Sequence, residues 1–144
     1  MFSKACEYGI RAVLYIAEQS KRGNRVPIKE IASKIDSPEA FTAKILQELA
    51  RNHIVESVKG PTGGFSIDSA MLEKLTLRHI VQAIDGDDIY NGCGLGLPQC
   101  SDEKPCPVHY QFASIRDDLR KMLDETTILD LVHGLTEGLT FLKH

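Results

Sequence analysis

Three cysteines, Cys93, Cys100 and Cys106, fall within 14 residues on a stretch that ends at His109. Thiolates are soft ligands suited to iron–sulfur clusters, zinc or Cu(I). Three of them on one loop can wrap a cofactor without a helix forcing them apart. The Gly and Pro residues between them permit sharp turns and leave backbone N–H groups able to bond cluster sulfides. No C-x-x-C occurs, which argues against a zinc ribbon or a thioredoxin-type motif. A three-Cys set leaves a fourth position open, with His109, Glu7, Cys6 or a small molecule as candidates. A non-Cys fourth ligand makes a site labile, and a sensor needs lability. The plain alternative is three unliganded thiols, with or without a regulatory disulfide. Their clustering in one polar loop favours a cofactor or redox role, whereas Cys6, at helical spacing among apolar residues, reads as core packing. His53 and His79 lie far from the loop and have no metal-ligand spacing.

The elements that must position this loop follow from apolar periodicity. Cys6, Ile10, Val13, Leu14 and Ala17 form a helical stripe that Gly23-Asn24 ends. Ile28, Ile31, Ala32 and Ile35 form a second, with Pro27 near its first turn. Ser37-Pro38-Glu39 then reads as N-cap, N1 and N2 of a third helix, whose buried stripe is Phe41, Ile45, Leu46 and Leu49. Residues 54–58 read as a strand, 60–64 as a turn and 65–67 as the return strand. Three helices followed by a hairpin is the order of a winged helix-turn-helix, in which the third helix crosses the DNA major groove and the hairpin is the wing.

Thr76 caps a further helix with Leu77, Ile80, Val81 and Ile84 on its buried face. Residues 85–107 lack periodicity, and so long a loop in a small domain is expected to bind something. From Val108 the stripe Phe112, Ile115, Leu119, Met122 and Leu123 would leave apolar surface on a lone helix, and reads as a dimerisation helix; the alternative is packing on its own chain. Thr126 or Thr127 caps a last short helix. The fold class is therefore mainly α with a small β-hairpin wing: a winged helix-turn-helix plus a long C-terminal dimerisation helix. The expected division is 1–67 for DNA binding, 68–107 for a connecting helix and the Cys-rich cofactor loop, and 108–144 for the dimerisation and C-terminal helices.

Composition narrows the classes. The chain has 144 residues, 42% hydrophobic and 26% charged, enough for one domain or a small domain with an oligomerisation arm. Its apolar runs are too short to span a membrane, and no secretory pattern opens it, so a cytoplasmic location is expected. Residues 1–67 carry 10 Lys/Arg against 7 Asp/Glu, a net +3, while residues 68–144 carry 7 against 13, a net −6. A basic front joined to an acidic back fits a nucleic-acid module linked to a part with another task. No acid/base grouping suggests a substrate cleft; Asp87-Asp88 and Asp117-Asp118 read as solvated surface, which disfavours a redox enzyme or electron carrier.

The opening Glu7-Tyr8-Gly9-Ile10-Arg11-Ala12-Val13, the wing Val58-Lys59-Gly60-Pro61-Thr62-Gly63-Gly64-Phe65 and the three-Cys loop together resemble the bacterial winged-helix regulators of the IscR/NsrR/CymR superfamily over nearly the whole chain. The three Cys resemble its cluster-binding branch. The resemblance implies a homodimer with two DNA-reading heads on a double-stranded, palindromic operator. It also implies a [2Fe–2S] or [4Fe–4S] cluster on Cys93, Cys100 and Cys106. In the iron–sulfur-homeostasis branch the fourth ligand is a His just after the third Cys, where His109 stands. In the nitric-oxide-sensing branch it is an N-terminal carboxylate donated across the dimer, where Glu7 stands beside the shared Arg11. Both remain candidates. Six residues separate the first two Cys and five the next two, against five and five in typical iron–sulfur-homeostasis members, which leaves the cluster type open.

The function implied is a transcriptional regulator, expected to be a repressor, that senses nitric oxide, redox state or iron–sulfur status. The alternative keeps the fold and uses a thiol/disulfide or zinc switch. Ser37 and Arg11 would bond phosphates, Thr42 and Lys44 would reach bases or backbone, and Lys59, Gly60, Pro61, Gly63 and Gly64 would carry the wing into the minor groove. Relatives whose specificity switches with the cluster carry a Glu where Ala43 stands, so simple on/off control is expected.

Overall fold

The computed structural model describes all 144 residues. Helix α1 (Lys4–Lys21) is started by Ser3, whose hydroxyl accepts from the Cys6 N–H at 3.0 Å. Its stripe of Val13, Ile16 and Ala17 is fully buried, because α2 (Ile28–Ile35), α3 (Glu39–Arg51), α5 (Leu77–Asp85) and α8 (Ile128–Thr136) all pack on it. Each fully buried Leu or Ile contributes about 1.5–3 kcal/mol over its exposed state, and the core holds Ile31, Ile35, Leu46, Leu49, Leu75, Ile80 and Ile128 among others.

The hairpin consists of β1 (Glu56–Val58) and β2 (Gly64–Ser66), paired antiparallel with Ser57 opposite Phe65. The first strand is shorter than the expected 54–58 because Ile54 and Val55 turn into the core instead. Val26 adds a third, one-residue rung: its N–H donates to Phe65 O at 2.9 Å, and Phe65 N–H donates to Val26 O at 2.8 Å. The close approach needs glycine at position 64, where φ is +137° and a Cβ would lie 2.8 Å from the Val26 carbonyl.

Two short helices lacked a legible stripe: α4 (Ser69–Lys74), which buries Leu72, and α6 (Asp88–Asn91), which buries Tyr90 inside the loop expected to be structureless. Thr76 does precede α5, where its N–H donates to His79 Nδ1 at 3.0 Å, and Thr127 caps α8 by accepting from the Asp130 N–H at 3.2 Å. Helix α7 (His109–Glu125) divides its apolar stripe between two faces. Leu123 is fully buried and Leu119 half-buried against the chain's own core, whereas Ile115 (61% exposed), Phe112, Met122 and neighbouring Tyr110 face outward. Leu77 N–H to Thr126 O and Ile128 N–H to Leu75 O, at 3.1 and 2.9 Å, tie the end of α7 to the start of α5.

Candidate nucleic-acid interface and cysteine loop

The turn between α2 and α3 is made by Asp36, in the left-handed conformation (φ 54°), with the Ser37 N–H donating to Ala32 O at 3.0 Å. Arg11 braces it from α1. Its Nη1 donates to Ile35 O at 2.9 Å, and its guanidinium lies 4.7 Å from the centre of the Tyr8 ring, which meets Phe41 edge-on at 5.5 Å. The Arg11 guanidinium therefore fixes the crossing of the helix pair, and only its other N–H groups remain for a phosphate.

The start of α3 differs from the sequence reading by one residue. Pro38, not Ser37, is the N-cap, and Ser37 makes no capping bond. The Ser37 hydroxyl instead meets Thr42 Oγ1 at 2.8 Å, and Thr42 donates to Pro38 O at 2.8 Å. Thr42 is 1% exposed, so its side chain belongs to the helix's inner face and is not presented to a base. The spacing carried that signal, since 42, 45, 46 and 49 form one i, i+3, i+4, i+7 stripe. Lys44 and Gln47 are exposed on the outer face, as are Lys59, Gly60 and Pro61 at the wing tip. Arg25 and Lys29 line a groove of ≈ 700 Å³ between the wing and the start of α2. Exposed cations thus flank an exposed helix, which suits the phosphate backbone on either side of a groove.

The cysteine loop is organised by side chains rather than by a core. Cys93, Cys100 and Cys106 are all free thiols, half-buried or exposed. The Cys93 thiol is held below the ordinary thiol range by the backbone N–H groups of Leu95 and, next, Leu97; burial opposes this, and a hydrogen bond with Cys106 and the charge of Arg116 add to it. His109 is buried at the first turn of α7. Its Nδ1 lies 3.5 Å from Cys100 Sγ, its Nε2 lies 2.7 Å from Asp102 Oδ1, and its ring meets Tyr110 edge-on. Cys100 and His109 are thus in contact, nine residues apart on the same segment. Glu7 pairs with Lys4 at 3.3 Å and makes no hydrogen bond or ion pair with the loop of its own chain.

Arginines from α7 fasten the loop. Arg116 donates from Nη1 to Gly92 O and from Nη2 to Cys100 Sγ at 3.1 Å. One turn on, Arg120 Nη2 donates to Tyr90 O at 2.8 Å and to Asn91 Oδ1 at 2.9 Å. Arg78 of α5 lies 5.0 Å from the Tyr90 ring centre and pairs with Asp124 at 2.8 Å. None of these residues stood out in the sequence, although Arg116 and Arg120 at i, i+4 share one helix face. Cys93, Cys100, Asn91, Gly96 and Leu97 line a hollow of ≈ 460 Å³. No three His, Cys, Asp or Glu side chains converge on one ion position. Cys93 and Cys100 on that hollow, with Cys106 and His109 on the same segment, are donor types that an iron–sulfur group takes.

A helix pair braced from behind, an exposed third helix and a hairpin with exposed Lys59 at its tip define a winged-helix DNA-binding protein. The family described as "Iron-dependent Transcriptional regulator" (Rrf2) matches residues 2–134. The chain belongs to the Rrf2 family of transcriptional regulators. It is 33% identical over 135 residues to a protein of Aquifex aeolicus provisionally named an HTH-type transcriptional regulator, covering 92% of both chains. It is 25% identical over 127 residues to the HTH-type transcriptional regulator IscR of Pectobacterium carotovorum, covering 88% of this chain and 76% of that one. Among solved structures, CymR, the global cysteine regulator of B. subtilis, superposes with a TM-score of 0.75 at 20% identity, over 92% of this chain and 96% of that one. T. potens IscR superposes at 0.76 with 17% identity, over 97% and 91%; likenesses this remote speak to the fold alone. Rrf2 regulators bind DNA, and the relatives are named as regulators, which identifies a DNA-binding protein rather than an enzyme. No helix is long and apolar enough to cross a membrane.

Proposed function

We propose that the chain is a homodimeric repressor whose operator binding is gated by an iron–sulfur cluster on Cys93, Cys100, Cys106 and His109. The setting of His109 carries this reading: Nδ1 faces a loop thiol while Asp102 holds Nε2, the carboxylate–histidine arrangement that orients a metal-ligating imidazole. The cluster, when bound, supplies a centre that nitric oxide, oxidants or iron loss can destroy. The chain's own residues do the rest. Gly92 and Cys100 are fastened to α7, whose outward face of Tyr110, Phe112, Ile115 and Met122 supplies apolar surface for a second copy. A change in loop shape is thereby placed next to the surface that would set the spacing of two heads, and a palindromic operator fixes that spacing at about 34–36 Å or a multiple. Within each head, Ser37, Lys44 and the α3 start face the major groove, with Lys59, Gly60, Pro61, Gly63 and Gly64 in the minor groove.

Anaerobic native mass spectrometry gives chain and cluster stoichiometry together. Operator gel shifts before and after nitric oxide give the gating. Two chains and two clusters, with a changed shift after nitric oxide, support the reading; a metal-free dimer with an unchanged shift rejects it. A thiol switch is the second reading, favoured by three free thiols, none of them buried, on one loop. A colourless protein whose operator binding responds to dithiothreitol supports that one instead.

A further inference from the structure

The guanidinium of Arg116 bridges the two ends of the Cys93–Cys100 segment. Nη1 takes the carbonyl of Gly92, immediately before Cys93, and Nη2 takes the sulfur of Cys100. Nε is buried and has no partner. In a planar guanidinium Nε–H and the outer Nη2–H lie along one edge, the edge that binds anions with two parallel bonds. The edge that reaches Cys100 is therefore one acceptor short, at a buried donor whose missing partner is unfavourable. Neighbouring Arg120 offers a contrast. It grips Tyr90 and Asn91 of the same loop, but its donors go to a carbonyl, an amide oxygen and the Asp117 carboxylate, none of them sulfur.

We infer that Arg116 is a positioning residue for the iron–sulfur site: it closes the Cys93–Cys100 segment, holds the Cys100 sulfur in place and offers the free Nε–H edge to the negative charge that a thiolate-bound cluster brings. This rests on the cluster reading above. A fixed cation beside a cluster favours its more negative, reduced state, so Arg116 raises the reduction potential as well as slowing cluster loss. Arg120 serves as a tether of the loop and does neither beyond what a tether does.

The test uses the full-length protein reconstituted anaerobically with iron and sulfide, as wild type, R116Q, R116K and R120Q. The readouts are iron per chain, the rate of cluster loss to a chelator, and the midpoint potential from the visible spectrum. R116Q is expected to lose its cluster about 10- to 100-fold faster and to shift to a more negative potential. R116K keeps the charge without the two-ended fork, so its potential stays near wild type while its cluster is lost faster. R120Q leaves the potential unchanged. Equal behaviour of R116Q and R120Q in both rate and potential would overturn the inference and leave Arg116 a tether. Should R116Q fail to fold, R116K decides: cluster loss at the wild-type rate overturns the inference. A wild type that takes up no iron rejects the cluster reading itself, and the inference with it.

Discussion

In residues 1–67, the proposed reading head, eighteen apolar side chains are buried in the core; in residues 86–107 only Tyr90 is. The head owes its shape to many small apolar contributions, none of which a signal can remove singly. The loop owes its shape to a few polar contacts, from Arg116, Arg120 and His109 on one helix, and two of these residues, Arg116 and His109, touch the Cys100 sulfur directly, where a change at sulfur can disturb them. A regulator needs both: a surface rigid enough to match a groove, and a segment whose rearrangement costs little.

Paired substitutions test that contrast first. Leu46→Ala in the head should cost about 2–5 kcal/mol in chemical denaturation and abolish operator binding. Leu97→Ala, half-exposed in the loop, should stay within about 0.5 kcal/mol. Comparable losses would mean that the loop is part of the core after all.

Next in size is the fourth ligand. His109→Ala should speed cluster loss about 10- to 100-fold, Asp102→Asn by less, and Glu7→Ala not at all. A large effect of Glu7→Ala with none from His109→Ala, measured by chelator challenge, would move the site across the dimer. Replacing all three loop thiols by serine should remove the iron entirely yet move the melting temperature by no more than about 2 °C, since none of the three is buried.

On the head, Lys44→Ala and Lys59→Ala should each weaken operator binding and lower the salt slope by about one unit in gel-shift titrations. Thr42→Val should instead cost about 0.5–1.5 kcal/mol of stability, because the lost hydroxyl bonded Pro38 O. The smallest effect is alkaline. Burial pushes the Cys6 thiol from 9.0 up to about 12, and burial with the hydrogen bond to Glu30 pushes Tyr15 from 10.0 up to about 12. Both protons stay on in the folded chain and leave the unfolded one first. Their stabilising contributions are complete below about pH 9 and are lost as pH climbs through 12, as urea midpoints across that range would register.

Much of this was legible without coordinates. Helices α1, α2, α3, α5, α7 and α8 and the hairpin announced themselves because burial on one face repeats at the helix or strand period, a local property of the chain. The three thiols and His109 were legible because their types and spacing lie on one continuous segment. Helices α4 and α6 are too short to show a repeat. The Ser37 cap was misread because proline at the next position satisfies the same pattern, and the hydroxyl found Thr42 instead.

Sequence alone determined the fold class and which atoms are chemically able to hold a cofactor, since these depend on residue type and near-neighbour spacing. Tertiary structure decided that Asp102 and Cys100 flank the His109 ring, that Arg116 joins Gly92 to Cys100, and that Val26 completes the wing. Those contacts join residues brought close only when α7 folds back along the loop and the wing closes on the strand before α2. Side-chain direction across such distances is set by packing, and no local pattern encodes it.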